Sequence, residues 1–220
     1  MAAIFDMDGL LFDTDPVLWV ESMYEVAKAH GIDISTDLLR HTKGLRIYEV
    51  TEFWNERFGW HDAARAQMIA EDIIDDIIAR TIRKGKIMPG VLPLLEDFTQ
   101  HQVHLGVATS SPARMVHQLL DHFALSTYFK AICSADTCVQ GKPHPEVYLQ
   151  CASALNALPW KCVAFEDSVN GMIAAKAARM ILVAVPERTQ INSSKFGLAD
   201  QVLSSLEDFS YADYIRLLEA

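Results

Sequence analysis

Short apolar runs, each bounded by polar or turn-forming residues, constrain this chain more than any other feature. They are Ala2-Ala3-Ile4-Phe5, Val103 to Ala108, Ala131-Ile132-Cys133, Cys162-Val163-Ala164-Phe165 and Ile181 to Val185. Runs this short, with no polar alternation, suit parallel strands buried on both faces. Between the later runs lie segments of helical length, each with a start signal. Ser111-Pro112 opens one, with Ser as N-cap and Pro at the first helical position; another starts near Pro145, and a third follows Ser168. Strand and helix alternate, so the expected fold is α/β, a Rossmann-like doubly wound parallel sheet with helices on both faces.

The stretch from 15 to 86 breaks the alternation. Asp15-Pro16 reads as a helix start, and Ile69, Ile73, Ile74, Ile77, Ile78 and Ile82 form a stripe at helical spacing. With no strand-like run in this stretch, it is expected to be an all-α domain inserted after the first strand. The sheet-bearing core then comprises 1–14 and 87–220, and the helical insert 15–86. The Ile stripe reads first as the core of that insert and second as a partner surface.

Composition narrows the partners. The formal net charge is −10, and the largest basic grouping is Arg83-Lys84 with Lys86. Binding a phosphate backbone calls for a basic face, so no nucleic-acid partner is expected. No apolar run reaches the length of a membrane span, and the first residues lack the layout of a signal peptide. Cys133, Cys138, Cys151 and Cys162 form no C-x-x-C pair, and they read as packed thiols in a reducing compartment. A cytoplasmic monomer is the expectation.

The chemistry-bearing residues stand at strand ends. In open α/β sheets, ligands bind beyond the carboxyl ends of the strands. The first run ends in Asp6-Met7-Asp8-Gly9. Alone, D-x-D-G is equally an ordinary turn, but a calcium loop is excluded because Leu10, Leu11 and Phe12 stand where oxygen ligands would be needed. After Ala108 come Thr109-Ser110-Ser111, hydroxyls and backbone N–H groups able to bind phosphoryl oxygens at a helix start. Lys142 precedes Pro143, which keeps it out of helical geometry; a solitary lysine is as readily a solvated charge. After Phe165 come Glu166-Asp167-Ser168, either a metal-binding acid pair or a helix N-cap. Together, an acid pair, a hydroxyl, a lysine and a second acid pair make a phosphoryl-transfer site with hard oxygens suited to Mg²⁺.

These segments, in this order, resemble the haloacid dehalogenase superfamily, in its phosphatase and phosphomutase branch with a helical cap. They are Ile4-Phe5-Asp6-Met7-Asp8-Gly9-Leu10-Leu11, Val107-Ala108-Thr109-Ser110, Lys142-Pro143 and Phe165-Glu166-Asp167-Ser168-Val169-Asn170-Gly171. Gly44-Leu45-Arg46 and the run from Glu166 to Ala174 are most similar to the 2-deoxyglucose-6-phosphatase and hexitol phosphatase subgroup. The resemblance implies a Mg²⁺-dependent phosphatase acting on small hexose or hexitol phosphates. In it Asp6 is the nucleophile and Asp8 the acid/base. Thr109, Ser110 and the Met7 backbone bind phosphate, and Lys142 pairs with the phosphoryl group and with Asp6. Asp6, Asp8 (by its carbonyl) and Asp167 hold the metal, with Glu166 as a further or water-mediated ligand. Lys43 and Arg46 of the cap are implied to contact substrate.

Three other readings use the same residue types. A sugar phosphomutase of the same fold shares the catalytic set. A dehalogenase needs neither Asp8 nor the Glu166-Asp167 pair. A phosphoaspartate receiver switch carries its acid pair on the first strand but its phosphorylated Asp on a later one, with no cap.

Overall fold

The computed structural model describes residues 1–14, 16–42, 45–191 and 193–219. It divides into two compact units, one formed by Met1–Asp13 with Lys86–Ala220 and the other by Thr14–Gly85.

The first unit opens with β1 (Ala2–Phe5), all four residues buried. The second unit contains α1 (Pro16–Ala29), α2 (Thr36–His41), α3 (Ile47–Arg57) and α4 (Ala63–Lys84). The chain then returns to the first unit through α5 (Val91–Gln100), β2 (His104–Thr109), α6 (Ala113–His122), β3 (Ala131–Ser134) and α7 (Glu146–Ala154). It finishes with β4 (Cys162–Glu166), α8 (Val169–Ala177), β5 (Ile181–Ala184), β6 (Gln201–Val202) and α9 (Tyr211–Glu219). Among the described residues six strands form one sheet in the order β3-β2-β1-β4-β5-β6, and every pairing is parallel. The doubly wound α/β fold read from the apolar runs is the fold observed.

Both faces of the sheet are covered, which is why its strands carry no polar alternation. On one face Ala2, Ile4, Cys162 and Ala164 pack with Val147, Tyr148 and Cys151 of α7 and Met172 and Ala175 of α8. On the other, Phe5 stacks on Phe165 at 4.6 Å between centroids, and Phe98, Phe209 and Tyr214 extend the aromatic cluster. The cysteines are free thiols, with Cys138, Cys151 and Cys162 buried and Cys133 half-buried.

Two helices begin at the expected start signals, and the start of a third is displaced. Ser168 caps α8, its hydroxyl accepting from the Gly171 N–H at 3.1 Å, and α7 begins directly after Pro145. Ser111 is not the cap of α6. Pro112 takes that position, and the Ala113 N–H is satisfied by Asp136 Oδ2 at 2.8 Å, from the loop after β3. A carboxylate brought in by the tertiary fold replaces the local hydroxyl, leaving Ser111 available elsewhere.

In the second unit, α4 packs against α1 and α3. Its buried face is Ile69, Ala70, Ile73, Ile74, Ile77 and Ile78, whereas Ile82, at the end of the stripe, is exposed. Each of those buried isoleucines contributes about 1.5–3 kcal/mol relative to exposure, so the stripe is spent on the core of its own unit. Asp15, read as a helix start, lies outside the described residues.

Candidate active site

The sheet order puts β1 at the point where the strand order reverses, with β2 and β3 on one side and β4 to β6 on the other. The crevice at such a switch point, outside the carboxyl ends of the strands, is where α/β sheets hold ligands. Asp6 leaves β1 there, its N–H donating to the Phe165 carbonyl at 3.0 Å. Thr109 ends β2, Glu166 ends β4, and Lys142 arrives on the loop after β3.

The chain turns sharply after Asp6. The Met7 carbonyl accepts from the N–H groups of Leu10, Leu11 and Phe12, and the Gly9 N–H donates to the Phe12 carbonyl at 3.0 Å. Gly9 has φ +76°, and a Cβ on it would stand 2.3 Å from Asp167 Oδ2. Only glycine combines that left-handed backbone with such a close approach of the carboxylate.

Lys142 is the hub. Its ammonium is buried and donates to Asp6 Oδ1 at 2.6 Å, to Glu166 Oε1 at 2.6 Å and to the Ala108 carbonyl at 2.9 Å. These three acceptors match its three protons. Burial works against the charged form of Lys142, but the Asp6 and Glu166 carboxylates outweigh it and hold its pKa above the usual lysine range. Glu166 is entirely buried, and its second oxygen accepts from the Ser168 N–H at 3.3 Å and the Ser168 hydroxyl at 3.2 Å. It sits against the first turn of α8, where a negative charge is favoured by the helix dipole. A Cβ on Gly171 would fall 1.8 Å from Glu166 Oε1, so glycine is required for the helix to close over the carboxylate.

Asp6, Glu166 and Asp167 each offer a carboxylate oxygen, all within 4.8 Å of one another. The cost of burying Asp6 and Asp167 side by side is visible in their protonation. Burial raises the Asp6 carboxyl up to about 7, with Lys142 pulling it down and Glu166 and Asp8 pushing it further up. Asp167 is also raised well above the carboxylate range, by burial first and then by Asp6 and Glu166. One ammonium does not neutralise this group, and its oxygen donors are of the hard type that Mg²⁺ prefers. The residues present fit a divalent cation.

The remaining expected residues divide between the two units. Asp8 joins the cluster, and its carboxylate accepts from the Ser111 hydroxyl. Ser111 is itself pinned, its N–H donating to Thr109 Oγ1 at 3.1 Å and its carbonyl accepting from Ser134 at 2.7 Å. Thr109 is buried and Ser110 half-buried at the end of β2. Met7 is buried. Arg46 belongs to the other unit, at the N-terminus of α3, where its guanidinium meets Glu49 Oε1 at 2.7 Å and its N–H donates to Glu49 Oε2 at 2.8 Å. Lys43 lies outside the described residues.

Two side chains at the site went unassigned by sequence reasoning. Ser111 reads from sequence as a helix cap or as one of three hydroxyls at the end of β2, with no link to Asp8, which it touches in the structure. Tyr148 was not singled out; its fully buried hydroxyl donates to Glu166 Oε1 at 2.7 Å. A third hydroxyl directly after the Thr109-Ser110 pair could have flagged the first. Nothing local marks the second.

The chain matches the model of the haloacid dehalogenase-like hydrolases over residues 3–185. It is 40% identical over 220 residues to hexitol phosphatase B of Escherichia coli strain K12, covering 98% of this chain and 96% of that one. It is 33% identical to a probable pseudouridine-5'-phosphatase of Drosophila melanogaster, covering 94% and 90%. The crystal structure of β-phosphoglucomutase from Clostridium difficile superposes with a TM-score of 0.81 at 26% identity, over 99% of this chain and 96% of that one. With a family match over most of its length and these strand-end residues gathered at the switch point, the chain belongs to the haloacid dehalogenase-like hydrolases and is an enzyme of their phosphatase branch.

Proposed function

We propose that the protein hydrolyses small sugar phosphates of the hexose or hexitol class, with Mg²⁺, through an aspartyl-phosphate on Asp6. The observation that carries the reading is the buried Asp6 carboxylate, 2.6 Å from Lys142 and within 4.8 Å of the oxygens of Glu166 and Asp167. A carboxylate attacks a phosphate ester only where the phosphoryl charge is offset, and this cluster joins a fixed cation to a set of metal-ready oxygens. The similarity to a named hexitol phosphatase supports the substrate class.

Asp6, Asp167 and the Asp8 carbonyl would hold Mg²⁺, with Glu166 beside them. When bound, the ion supplies positive charge against the phosphoryl oxygens and relieves the repulsion among the carboxylates. The residues then divide the work. Asp6 attacks phosphorus, and the leaving sugar oxygen takes a proton from Asp8. The Asp8 carboxylate next removes a proton from water as that water attacks phosphorus, which frees inorganic phosphate and restores Asp6. Thr109, Ser110 and the Met7 backbone position the phosphoryl oxygens, and Lys142 keeps its charge against them throughout. Lys43 and Arg46 serve substrate recognition from the helical domain 15–86, the core being 1–14 with 87–220.

A second reading, a phosphomutase returning the phosphoryl group to another sugar oxygen, is favoured by the likeness to the β-phosphoglucomutase structure. One experiment separates them: a panel of hexose and hexitol phosphates with Mg²⁺, following both released phosphate and isomerised sugar phosphate. The expected result is phosphate release by the wild type and none by Asp6→Asn. Turnover retained in that variant would remove Asp6 from the nucleophile role, and isomerisation without net phosphate release would favour the mutase.

A further inference from the structure

Lys142 faces two carboxylates at equal distance, Asp6 Oδ1 and Glu166 Oε1, both at 2.6 Å. Only the Asp6 side leads to chemistry. What decides how the ammonium is shared is how strongly, and from what position, Glu166 competes for it.

Tyr148, in the first turn of α7, touches both members of that pair, Glu166 and Lys142. Its hydroxyl donates at 2.7 Å to Glu166 Oε1, the same oxygen that receives Lys142. A carboxylate oxygen that accepts two charge-assisted bonds spreads its charge over both and pulls less on either. The Tyr148 ring also faces the ammonium, 4.9 Å from Nζ to the ring centroid, and adds a cation–π contact to it. With Ser168 holding the other Glu166 oxygen at 3.2 and 3.3 Å, the carboxylate is fixed at both ends.

We propose that Tyr148 is a positioning residue: its hydroxyl anchors Glu166 so that Lys142 is presented to Asp6 and to the transferring phosphoryl group. This rests on the function proposed above and adds to it a residue that touches none of the reacting atoms. The competing explanation is ordinary packing, because a buried tyrosine hydroxyl finds an acceptor wherever one is near.

Tyr148→Phe keeps the ring and removes only the hydroxyl. On whichever panel substrate the wild type turns over, at saturating Mg²⁺, kcat should fall about tenfold with KM within about threefold. That loss is the low end for one hydrogen bond to a charged group, expressed where charge develops in the transition state. A packing role would leave kcat per folded molecule unchanged, so kcat within about twofold of wild type overturns the proposal. The second measurement needs neither substrate nor metal: a double-mutant cycle of Tyr148→Phe with Glu166→Gln, read by urea unfolding in EDTA. The two changes should be coupled by about fivefold or more in the unfolding equilibrium constant; additivity overturns the Tyr148–Glu166 link. If the wild type turns over no member of the panel, the proposed function is what fails, and the metal-free cycle still decides whether Tyr148 anchors Glu166.

Discussion

Replacing Asp6 by Asn should make the metal-free protein more stable at neutral pH, although it removes a buried partner of Lys142. The reason is burial of the Asp6 carboxyl, with the neighbouring Glu166 and Asp8 adding to it. Burial lifts the Asp6 carboxyl from 3.8 to about 7. Between those values the folded protein holds a proton that the unfolded chain has already lost, so unfolding releases a proton. Stability therefore falls as pH rises through this window, the reverse of an ordinary salt-bridged carboxylate. From pH 5 to pH 7 the loss spans about two pH units at ~1.36 kcal/mol each, or about 3 kcal/mol. Asn does not titrate, so Asp6→Asn escapes this loss, and it also lightens the repulsion on Asp167, which Asp6 helps to raise. The assay is urea unfolding in EDTA at pH 5 and pH 8 for both proteins. Their stabilities should lie close together at pH 5, and the variant should exceed wild type by about 2–3 kcal/mol at pH 8. Adding Mg²⁺ at pH 8 should stabilise the wild type more than the variant, because the ion relieves a charge that Asn lacks. A gap between the proteins that does not change with pH would rule out a raised Asp6 carboxyl as the cause.

Further outcomes follow from the same cluster. Asp167→Ala should raise the Mg²⁺ concentration for half-maximal phosphate release by about tenfold or more; activity that stays metal-independent would exclude the proposed ion site. Gly171→Ala places a methyl carbon 1.8 Å from a Glu166 oxygen and 1.9 Å from its Cδ, while Lys142, Tyr148 and Ser168 hold that carboxylate in place. It should cost about 3 kcal/mol in urea unfolding without metal, and an unchanged midpoint would mean that Glu166 can move aside.

Much of the frame was legible because its causes are local. A strand covered on both faces must be apolar at every position, so the runs at Ala2–Phe5 and Cys162–Phe165 read as parallel strands buried on both faces. Ser168 read as the cap of α8 because a cap bonds within three residues. The same logic failed at Ser111, where Asp136, 23 residues beyond the Ala113 N–H that it accepts from, takes over at the start of α6. Strand β6, two residues long, carries no periodicity to detect.

The sequence by itself determined which chemical groups stand at the strand ends: Asp6 and Asp8, Thr109, Lys142, and Glu166 with Asp167. Tertiary structure alone decided how they meet. The strand order brings the end of β1 between those of β2 and β4, and this buries Asp6 beside Lys142 and raises its pKa. It also turns Tyr148, an unremarked aromatic on a helix, toward the oxygen that Lys142 shares with it. Burial and charge sharing depend on distances across residues far apart in the chain, from Asp6 to Lys142 and from Tyr148 to Glu166. No local pattern encodes those distances, so only the folded sheet sets them.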